Sequence, residues 1–326
     1  MSALQKAIRR GRKQTALRAA ARLLQTEPDR LWRRLGCIAF EDVGVADFEA
    51  VSLTVAALTG KRLRASLGGE WSVAADLICR LTRAAKSRAA DDLLMTAETH
   101  PGFAEARSVL AERGSNDLIG IVTGSAPLHV RALAACFAAG TNRRRSSHLP
   151  SRPGNPTALF DALLASSADA ETVGIARQGW RELGEMLCPF TAMLKPFAPA
   201  DPSTTTDDDL PPEVFIRDLP GWCLDQYSRE GRQALQVFSD GDSQAARWLR
   251  AHIPPRHRIA FLGGIVFRVE GGLLRSRLRW ALGDELRRIN DVECTGPGCP
   301  DASEILDLMR GNIPELNRVR AEVMGG

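Results

Sequence analysis

The sequence of 326 residues contains no apolar run near the roughly 20 residues that a membrane-spanning helix requires, so we expect no transmembrane segment. Its start, MSALQKAIRRGRK, carries charge but lacks the apolar stretch of a secretory signal peptide. The chain also lacks the cysteine pattern of a disulfide framework. Its seven cysteines are an odd number and follow no disulfide spacing. These absences favour a cytoplasmic protein with reduced thiols.

Motifs that bind nucleotides or support catalysis are also missing. A Walker A loop requires G-x-x-x-x-G-K-[ST], whose backbone amides hold phosphate groups. The one Gly-Lys pair, Gly60–Lys61, is followed by Arg62 and lacks the earlier glycine. There is no G-x-G-x-x-G fingerprint, no G-x-S-x-G elbow, and no recognisable motif that joins a histidine to a serine or cysteine. We therefore expect no ATP hydrolysis, no catalytic residues and no cofactor.

Lysine is rare among the basic residues, since 38 of the 43 are arginine. The net charge of +4 hides an asymmetry: residues 1–150 carry 23 basic and 14 acidic side chains, whereas residues 151–326 carry 20 and 25. Two interpretations of the arginine excess stay open. One is the composition of a GC-rich genome, and the other is selection for binding nucleic acid.

The basic residues of the first half form two clusters along the sequence. Such clusters can follow a phosphate backbone and give salt-dependent binding that does not depend on base sequence. The alternative is that both are solvated, one at a helix end and one in a loop. The candidate nucleic-acid contacts are Arg9, Arg10, Arg12 and Lys13 in the first cluster, and Arg143, Arg144 and Arg145 in the second.

Two further groups of side chains have the chemistry of metal ligands. Cys294 and Cys299 are separated by four residues, as are His252 and His257, and two thiolates with two imidazoles suit tetrahedral zinc. The Pro-Pro pair between the histidines argues against such a site, so a plain pair of loops is the favoured interpretation. The acidic run 207–209 lies in a Pro- and Thr-rich segment, and we expect it to be solvated. The sequence therefore predicts no metal.

Hydrophobic periodicity predicts helices along most of the chain, and hence an all-α fold. Pro28 should open one helix and Asp47 should cap another. Segment 118–122 is ambiguous, and 258–272 is assigned to a helix rather than a hairpin, with a further helix over 273–289. The predicted organisation is a helical domain at 1–141, a basic Pro- and Ser-rich loop at 142–156, a helical segment at 157–195, an acidic Pro-rich linker at 196–212 and a second, mostly helical region at 213–326.

Four stretches of the first half carry a resemblance to a known family. They are SALQKAIRRG at 2–11, the segment 15–51 with its Glu-Asp-Val-Gly turn, RAAKSR at 83–88 and APLHVRAL at 126–133. Their residues and order resemble the C-terminal helical region of the MgsA/RarA family, the replication-associated recombination ATPases related to clamp loaders.

This resemblance implies that residues 1–141 form a collar like that of a clamp loader, which brings subunits together into an oligomer. Catalysis in that family belongs to an AAA+ ATPase domain, whose motifs this sequence lacks. The matching residues have roles in holding the fold, such as a turn at Gly44 and a helix start at Pro127. The residues of this fold signature are Glu41, Asp42, Gly44, Asp47, Pro127, His129 and Arg131.

Two functions follow as hypotheses. The favoured one is a non-catalytic accessory factor of DNA replication, recombination or repair, which forms a homo-oligomer and binds DNA or a separately encoded AAA+ ATPase or replisome protein. The alternative is a protein-interaction or regulatory module of a mobile element or defence locus, which reuses the collar and does not bind DNA. Neither hypothesis involves a membrane.

Overall fold

The computed structural model describes residues 2–142, 146, 148–167, 169–200, 204–294 and 299–325. Helices make up 73% of the structure and the strands of this described part form only short antiparallel pairs, so the predicted all-α class is confirmed. Among the described residues, no helix is both long enough and apolar enough to cross a bilayer. 

The α-helices of the described residues are α1 (Ser2–Arg9), α2 (Lys13–Thr26), α3 (Pro28–Ile38), α4 (Phe48–Thr59), α5 (Lys61–Ser66), α6 (Glu70–Arg83), α7 (Ala89–Thr99), α8 (Ala104–Ala111), α9 (Ser115–Thr123), α10 (Leu128–Ala139), α11 (Pro156–Ser166), α12 (Ala170–Leu183), α13 (Leu187–Leu194), α14 (Arg229–Asp240), α15 (Gln244–His252), α16 (Arg258–Val266), α17 (Ala281–Val292) and α18 (Ala302–Gly325).

Short irregular elements join these helices. Two π-helical turns, Ala39–Val43 and Phe267–Gly271, directly follow α3 and α16. The described strands are β1 (Thr205–Thr206), β2 (Phe215–Ile216), β3 (Leu219–Pro220) and β4 (Arg277–Leu278). β1 pairs with β4 in antiparallel register, with Thr205 opposite Leu278, and β2 pairs with β3 as a hairpin.

Several helix ends confirm the local sequence signals. Pro28 lies at the start of α3. A backbone N–H at this position would have no partner within the helix, so proline, which lacks one, costs no hydrogen bond there. Asp47 caps α4, because its Oδ1 accepts a hydrogen bond of 3.0 Å from the Ala50 backbone N–H. The ambiguous segment 118–122 lies within α9, and 258–272 forms α16 and the second π-helical turn.

The helix predicted for 273–289 is wrong in its first half, because α17 begins only at Ala281. The preceding residues find hydrogen-bond partners far away in the sequence. The Leu274 N–H donates to Asp208 Oδ2 at 2.7 Å, and the Ser276 N–H donates to Asp207 Oδ1 at 2.9 Å. On the other side, the Leu278 N–H donates to the Lys86 carbonyl at 2.8 Å. These long-range bonds replace those that a helix would make.

The prediction that the run 207–209 is solvated is wrong for Asp208. Its side chain is only 4% exposed. Its carboxylate accepts N–H groups from Arg277 Nε at 2.8 Å, Arg277 Nη2 at 2.7 Å and Arg287 Nη1 at 2.8 Å. Burial opposes ionisation of Asp208, but these guanidinium groups hold its pKa below the ordinary value. The predicted linker therefore contributes an ion-paired residue to the folded structure.

Apolar side chains are buried in two clusters. The first cluster joins most helices from α1 to α13 and also takes in Trp222, Cys223, Leu278, Trp280 and Leu286. The second cluster comprises side chains of α14, α15, α16 and α18 with Ile253 and Val269. The region predicted as a second unit, 213–326, thus contributes to both clusters.

We expect Asp208→Ala to lower the free energy of unfolding by about 3 kcal/mol, because it leaves the buried Arg277 guanidinium without its carboxylate. Urea denaturation measures this value. Asp209→Ala is the matched control, since Asp209 is exposed, and it should change stability by less than about 0.5 kcal/mol. Equal effects of the two substitutions would contradict the structural role of Asp208.

Candidate functional site

A cleft of about 770 Å³ opens between α1, α3, α7, α17 and the second π-helical turn. Its size lies in the range of small-molecule sites. Three of the stretches that carry the family resemblance meet at this cleft, through Gln5, Lys6 and Arg9 of α1, Glu41 of the first π-helical turn and Arg88 before α7. Segments far apart in the sequence therefore build one charged surface.

Asp42 lies beneath the cleft and is fully buried. Its Oδ1 lies 2.6 Å from Arg9 Nε and 2.6 Å from Arg88 Nη1, and its Oδ2 accepts an N–H of Gln5 Nε2 at 2.9 Å. Both carboxylate oxygens are thereby satisfied, which a buried charge requires. The arrangement ties α1 to the first π-helical turn and to the start of α7.

The turn at Gly44 holds Asp42 in this position. Gly44 has a φ of +50°, and a Cβ at this residue would lie 3.0 Å from the Ser87 carbonyl oxygen. The Ser87 N–H in turn donates to the Asp42 carbonyl at 3.0 Å. Both the backbone conformation and the close approach favour glycine, which agrees with the sharp turn predicted here.

Glu41 and Asp91 share the guanidinium of Arg88, yet their pKa values move in opposite directions. Burial opposes ionisation of Glu41, but Arg88 and Arg9 outweigh it and lower its pKa to about 2. Burial, together with the nearby Glu41 and Asp92, raises the pKa of Asp91 to about 6 despite Arg88. The guanidinium groups thus outweigh burial at Glu41 but not at Asp91.

A second layer of ion pairs connects α1 to the C-terminal region. Lys6 Nζ lies 2.7 Å from Asp225 Oδ2, and Arg10 Nη2 donates to the Glu270 carbonyl at 2.9 Å. The Glu270 carboxylate accepts hydrogen bonds from both terminal nitrogens of the fully buried Arg320, at 3.0 and 2.7 Å. Burial lowers the pKa of Lys6, although Asp225 opposes this shift. 

The wall formed by α17 also mixes the two signs of charge. Asn290 Nδ2 donates to Asp92 Oδ1 at 2.9 Å, and Arg287 Nε lies 3.5 Å from Asp291 Oδ2. Arg268 Nη2 donates to the Asn290 carbonyl at 3.0 Å, whereas its buried Nε has no hydrogen-bond partner within the described residues. Burial and the neighbouring Asp92 raise the pKa of Asp291.

The structure divides the first predicted basic cluster. Arg9 and Arg10 are buried and committed to partners within the chain, because Arg9 also donates to the Gly271 carbonyl at 3.0 Å. This weakens the hypothesis that they contact nucleic acid. Arg12 and Lys13 are exposed. The second cluster, Arg143, Arg144 and Arg145, lies outside the described residues.

Arg275 joins the exposed part of the first cluster, and sequence reasoning missed it. Its N–H donates to the Arg9 carbonyl at 2.9 Å, and its Cδ lies 3.1 Å from where a Cβ of Gly11 would be. We term the exposed residues Arg12, Lys13 and Arg275 the Gly11 patch. Only the fold brings Arg275 there, since more than 260 residues separate it from Lys13.

The cleft residues Lys6, Asp91 and Asp92 were also missed, although a signal was present. Lys6, Arg9 and Arg10 recur at i, i+3 and i+4, and therefore lie on one side of a helix whose other side is apolar. Charged residues with helical spacing usually indicate a solvated face. Here that side is covered by the C-terminal region.

The remaining fold-signature residues support the end of the first helical region. Pro127 precedes α10, and Arg131 Nε donates to the Val122 carbonyl of α9 at 2.7 Å. His129 stacks on Phe103 with ring centroids 4.1 Å apart. These contacts agree with a role in holding the fold.

Three of the four residues considered as zinc ligands, His252, His257 and Cys294, have other partners. His252 Nδ1 lies 2.9 Å from the Trp248 carbonyl, and His257 Nε2 accepts an N–H of Arg256. Cys294 is buried beside Thr99, and burial raises its pKa. Within the described residues, no group of three or more His, Cys, Asp or Glu side chains has an arrangement that would hold a metal ion.

Comparison of this chain with protein families, with characterised proteins and with solved structures returns no match. The resemblance to the MgsA/RarA family therefore stays an expectation that rests on the quoted sequence stretches.

The opposite pKa shifts predict opposite pH dependences. Above pH 4.5 the lowered pKa of Glu41 contributes stability, which is lost as the pH falls towards 2. The raised pKa of Asp91 has the reverse effect, so stability falls as the pH rises from 3.8 to about 6. We expect Glu41→Gln to destabilise the protein at pH 8 by about 2 kcal/mol, and Asp91→Asn to stabilise it.

Urea denaturation of the wild-type protein and both variants at pH 4, 6 and 8 measures these effects. The difference between Asp91→Asn and the wild-type protein should shrink below pH 6, because the wild-type carboxyl is then protonated in the folded state. Destabilisation of similar size in both variants at pH 8 would contradict the prediction, because it would mean that both carboxylates stabilise the fold when ionised.

Proposed function

We propose that this chain is a non-catalytic accessory factor of DNA replication, recombination or repair, which self-associates and binds DNA or a separately encoded ATPase or replisome protein. The observation that carries the DNA part is the Gly11 patch. Arg12 and Arg275 have side-chain exposures of 47% and 53%, so phosphate groups can reach them. The context of DNA metabolism comes from the family resemblance.

Two carboxylates limit the positive charge of the Gly11 patch. Arg12 Nη2 lies 3.2 Å from Glu213 Oε2, and Arg275 Nε lies 3.5 Å from Asp207 Oδ2. Both pairs are exposed on the arginine side and are therefore weak. A phosphate backbone would compete with these carboxylates for the same guanidinium groups. The carboxylate of Glu213 should therefore oppose the binding of DNA at Arg12.

A protein-interaction module without DNA binding is the second candidate function. The hairpin of β2 and β3 favours it, because Val214, Phe215 and Leu219 are all more than 40% exposed there. Apolar side chains that are exposed together are typical of surfaces that bind another protein. Salt-dependent binding of DNA would distinguish the first candidate from the second.

We expect fluorescence anisotropy to detect binding of labelled single- or double-stranded DNA at low salt, with an affinity that falls as salt rises. The variant Arg12→Ala/Lys13→Ala/Arg275→Ala should bind at least about tenfold more weakly and lower the salt slope by roughly 2 to 3. Glu213→Gln should strengthen binding by about threefold, because it frees Arg12 and leaves an oxygen to accept the Trp222 indole N–H.

The matched control removes three exposed arginines that lie outside the Gly11 patch, in Arg232→Ala/Arg256→Ala/Arg310→Ala. It loses the same charge and should keep the affinity within about twofold of wild type. If the control weakens binding as much as the patch variant does, the effect is one of net charge. Absence of binding to either DNA at low salt would favour the second candidate function.

Self-association is tested by light scattering. We expect a mass that is a multiple of the 35.4 kDa of the chain, because the collar that the sequence resembles brings subunits together. Measurements over a range of protein concentrations separate a stable oligomer from a weak one. A mass of 35.4 kDa at every concentration would contradict this part of the proposal.

A further inference from the structure

The mouth of the cleft carries polar groups that folding leaves available. Arg34 lines the cleft, and its only hydrogen bond within the described residues goes from Nη1 to Gln5 Oε1 at 3.2 Å. No carboxylate of the described residues lies within ion-pair distance of its guanidinium. Arg30, one helical turn earlier on α3, lines the same cleft, and its one ion pair among the described residues is with the exposed Glu27, which also lines the cleft. This part of the cleft suits an anion.

An aromatic ring lies at the same mouth. Tyr227 is the only tyrosine of the chain, lines the cleft and is 69% exposed. Its hydroxyl makes no hydrogen bond within the described residues. An exposed ring at the edge of a cavity offers a face on which a flat ligand group can stack.

Glu41 and Asp91 also line the cleft and offer hydrogen-bond acceptors. Glu41 Oε1 accepts from Arg9 and Arg88, at 2.7 and 2.9 Å, and Asp91 Oδ2 accepts from Arg88. Both carboxylates keep about a fifth of their surface exposed to the cleft. Hydroxyl or amino groups of a ligand are the natural donors to them.

We propose that the cleft binds a nucleoside phosphate, with the phosphate at Arg34 and Arg30, the sugar hydroxyls or base amino groups at Glu41 and Asp91, and the base stacked on Tyr227. Phosphate, donor groups and a flat ring occur together in this class of ligand. Inorganic phosphate should bind more weakly, because it has no ring to stack on Tyr227 and no sugar or base to donate to Glu41 and Asp91.

Two sources can supply this chemistry, a free nucleotide or the phosphorylated end of a DNA strand. The proposal goes beyond the proposed function and does not require it, because none of the residues of the Gly11 patch lines the cleft. The two ideas can therefore fail separately. The variant Arg12→Ala/Lys13→Ala/Arg275→Ala should keep its nucleotide affinity, whatever it does to DNA binding.

Isothermal titration calorimetry of the full chain provides the test. The probes are the four ribonucleoside 5′-monophosphates and triphosphates, adenosine, inorganic phosphate, and a short oligonucleotide with and without a 5′-phosphate. We expect at least one nucleotide to bind at least tenfold more tightly than adenosine or inorganic phosphate. If only the phosphorylated oligonucleotide binds, the strand end is the source, and the proposal stands.

Arg34→Ala should weaken nucleotide binding at least about tenfold through loss of charged hydrogen bonds to phosphate. Arg33→Ala is its matched control, because Arg33 is the preceding residue of α3, is exposed and pairs with Glu185 away from the cleft. Tyr227→Ala should also weaken binding about tenfold, because the ligand loses its stacking on the ring. Since the Tyr227 side chain is highly exposed, we expect this substitution to leave the fold intact.

A melting temperature for each variant confirms that it is folded. The proposal is overturned if no nucleotide and no phosphorylated oligonucleotide binds at millimolar concentration. It is also overturned if inorganic phosphate binds as tightly as any nucleotide, or if Arg34→Ala and Tyr227→Ala bind like wild type. A similar loss in Arg33→Ala and Arg34→Ala would also overturn it, because the effect would then come from the general charge of α3.

Discussion

Asp42 has no contact with solvent, and its two carboxylate oxygens accept hydrogen bonds from Arg9, Arg88 and Gln5. A buried charge without such partners costs several kcal/mol, so α1, the first π-helical turn and the start of α7 have to come together in one register. The burial of ion pairs adds little net stability. Its main effect here is to specify a single arrangement of three segments.

The same helix face carries this constraint into the C-terminal region. Lys6 pairs with Asp225, and Arg9 and Arg10 donate to the carbonyls of Gly271 and Glu270. Since α1 also contributes apolar side chains to the first buried cluster, it is covered on both sides. The region after 213 therefore completes the environment of α1 and forms one wall of the cleft.

Two classes of charged residue result from this packing. Deeply buried groups such as Arg9 and Asp42 are used to hold the segments together, and few of their hydrogen-bonding atoms are left for a ligand. At the mouth, Arg34 makes one hydrogen bond within the described residues, to Gln5, the Tyr227 hydroxyl makes none there, and both side chains line the cleft. Substitutions at the mouth should therefore act mainly on binding by the cleft, whereas substitutions of Glu41 and Asp91 should change stability as well.

The sequence by itself determined the helices and many of their ends, because periodicity, proline starts and aspartate caps act over a few neighbouring residues, as at Pro28 and Asp47. The tertiary structure alone decided which charges are buried. Arg9 and Asp208 have the sequence context of solvated residues, yet both lie inside because Asp42, Arg277 and Arg287 meet them from distant segments. Electrostatic pairing depends on distance in space, and local sequence patterns do not encode it.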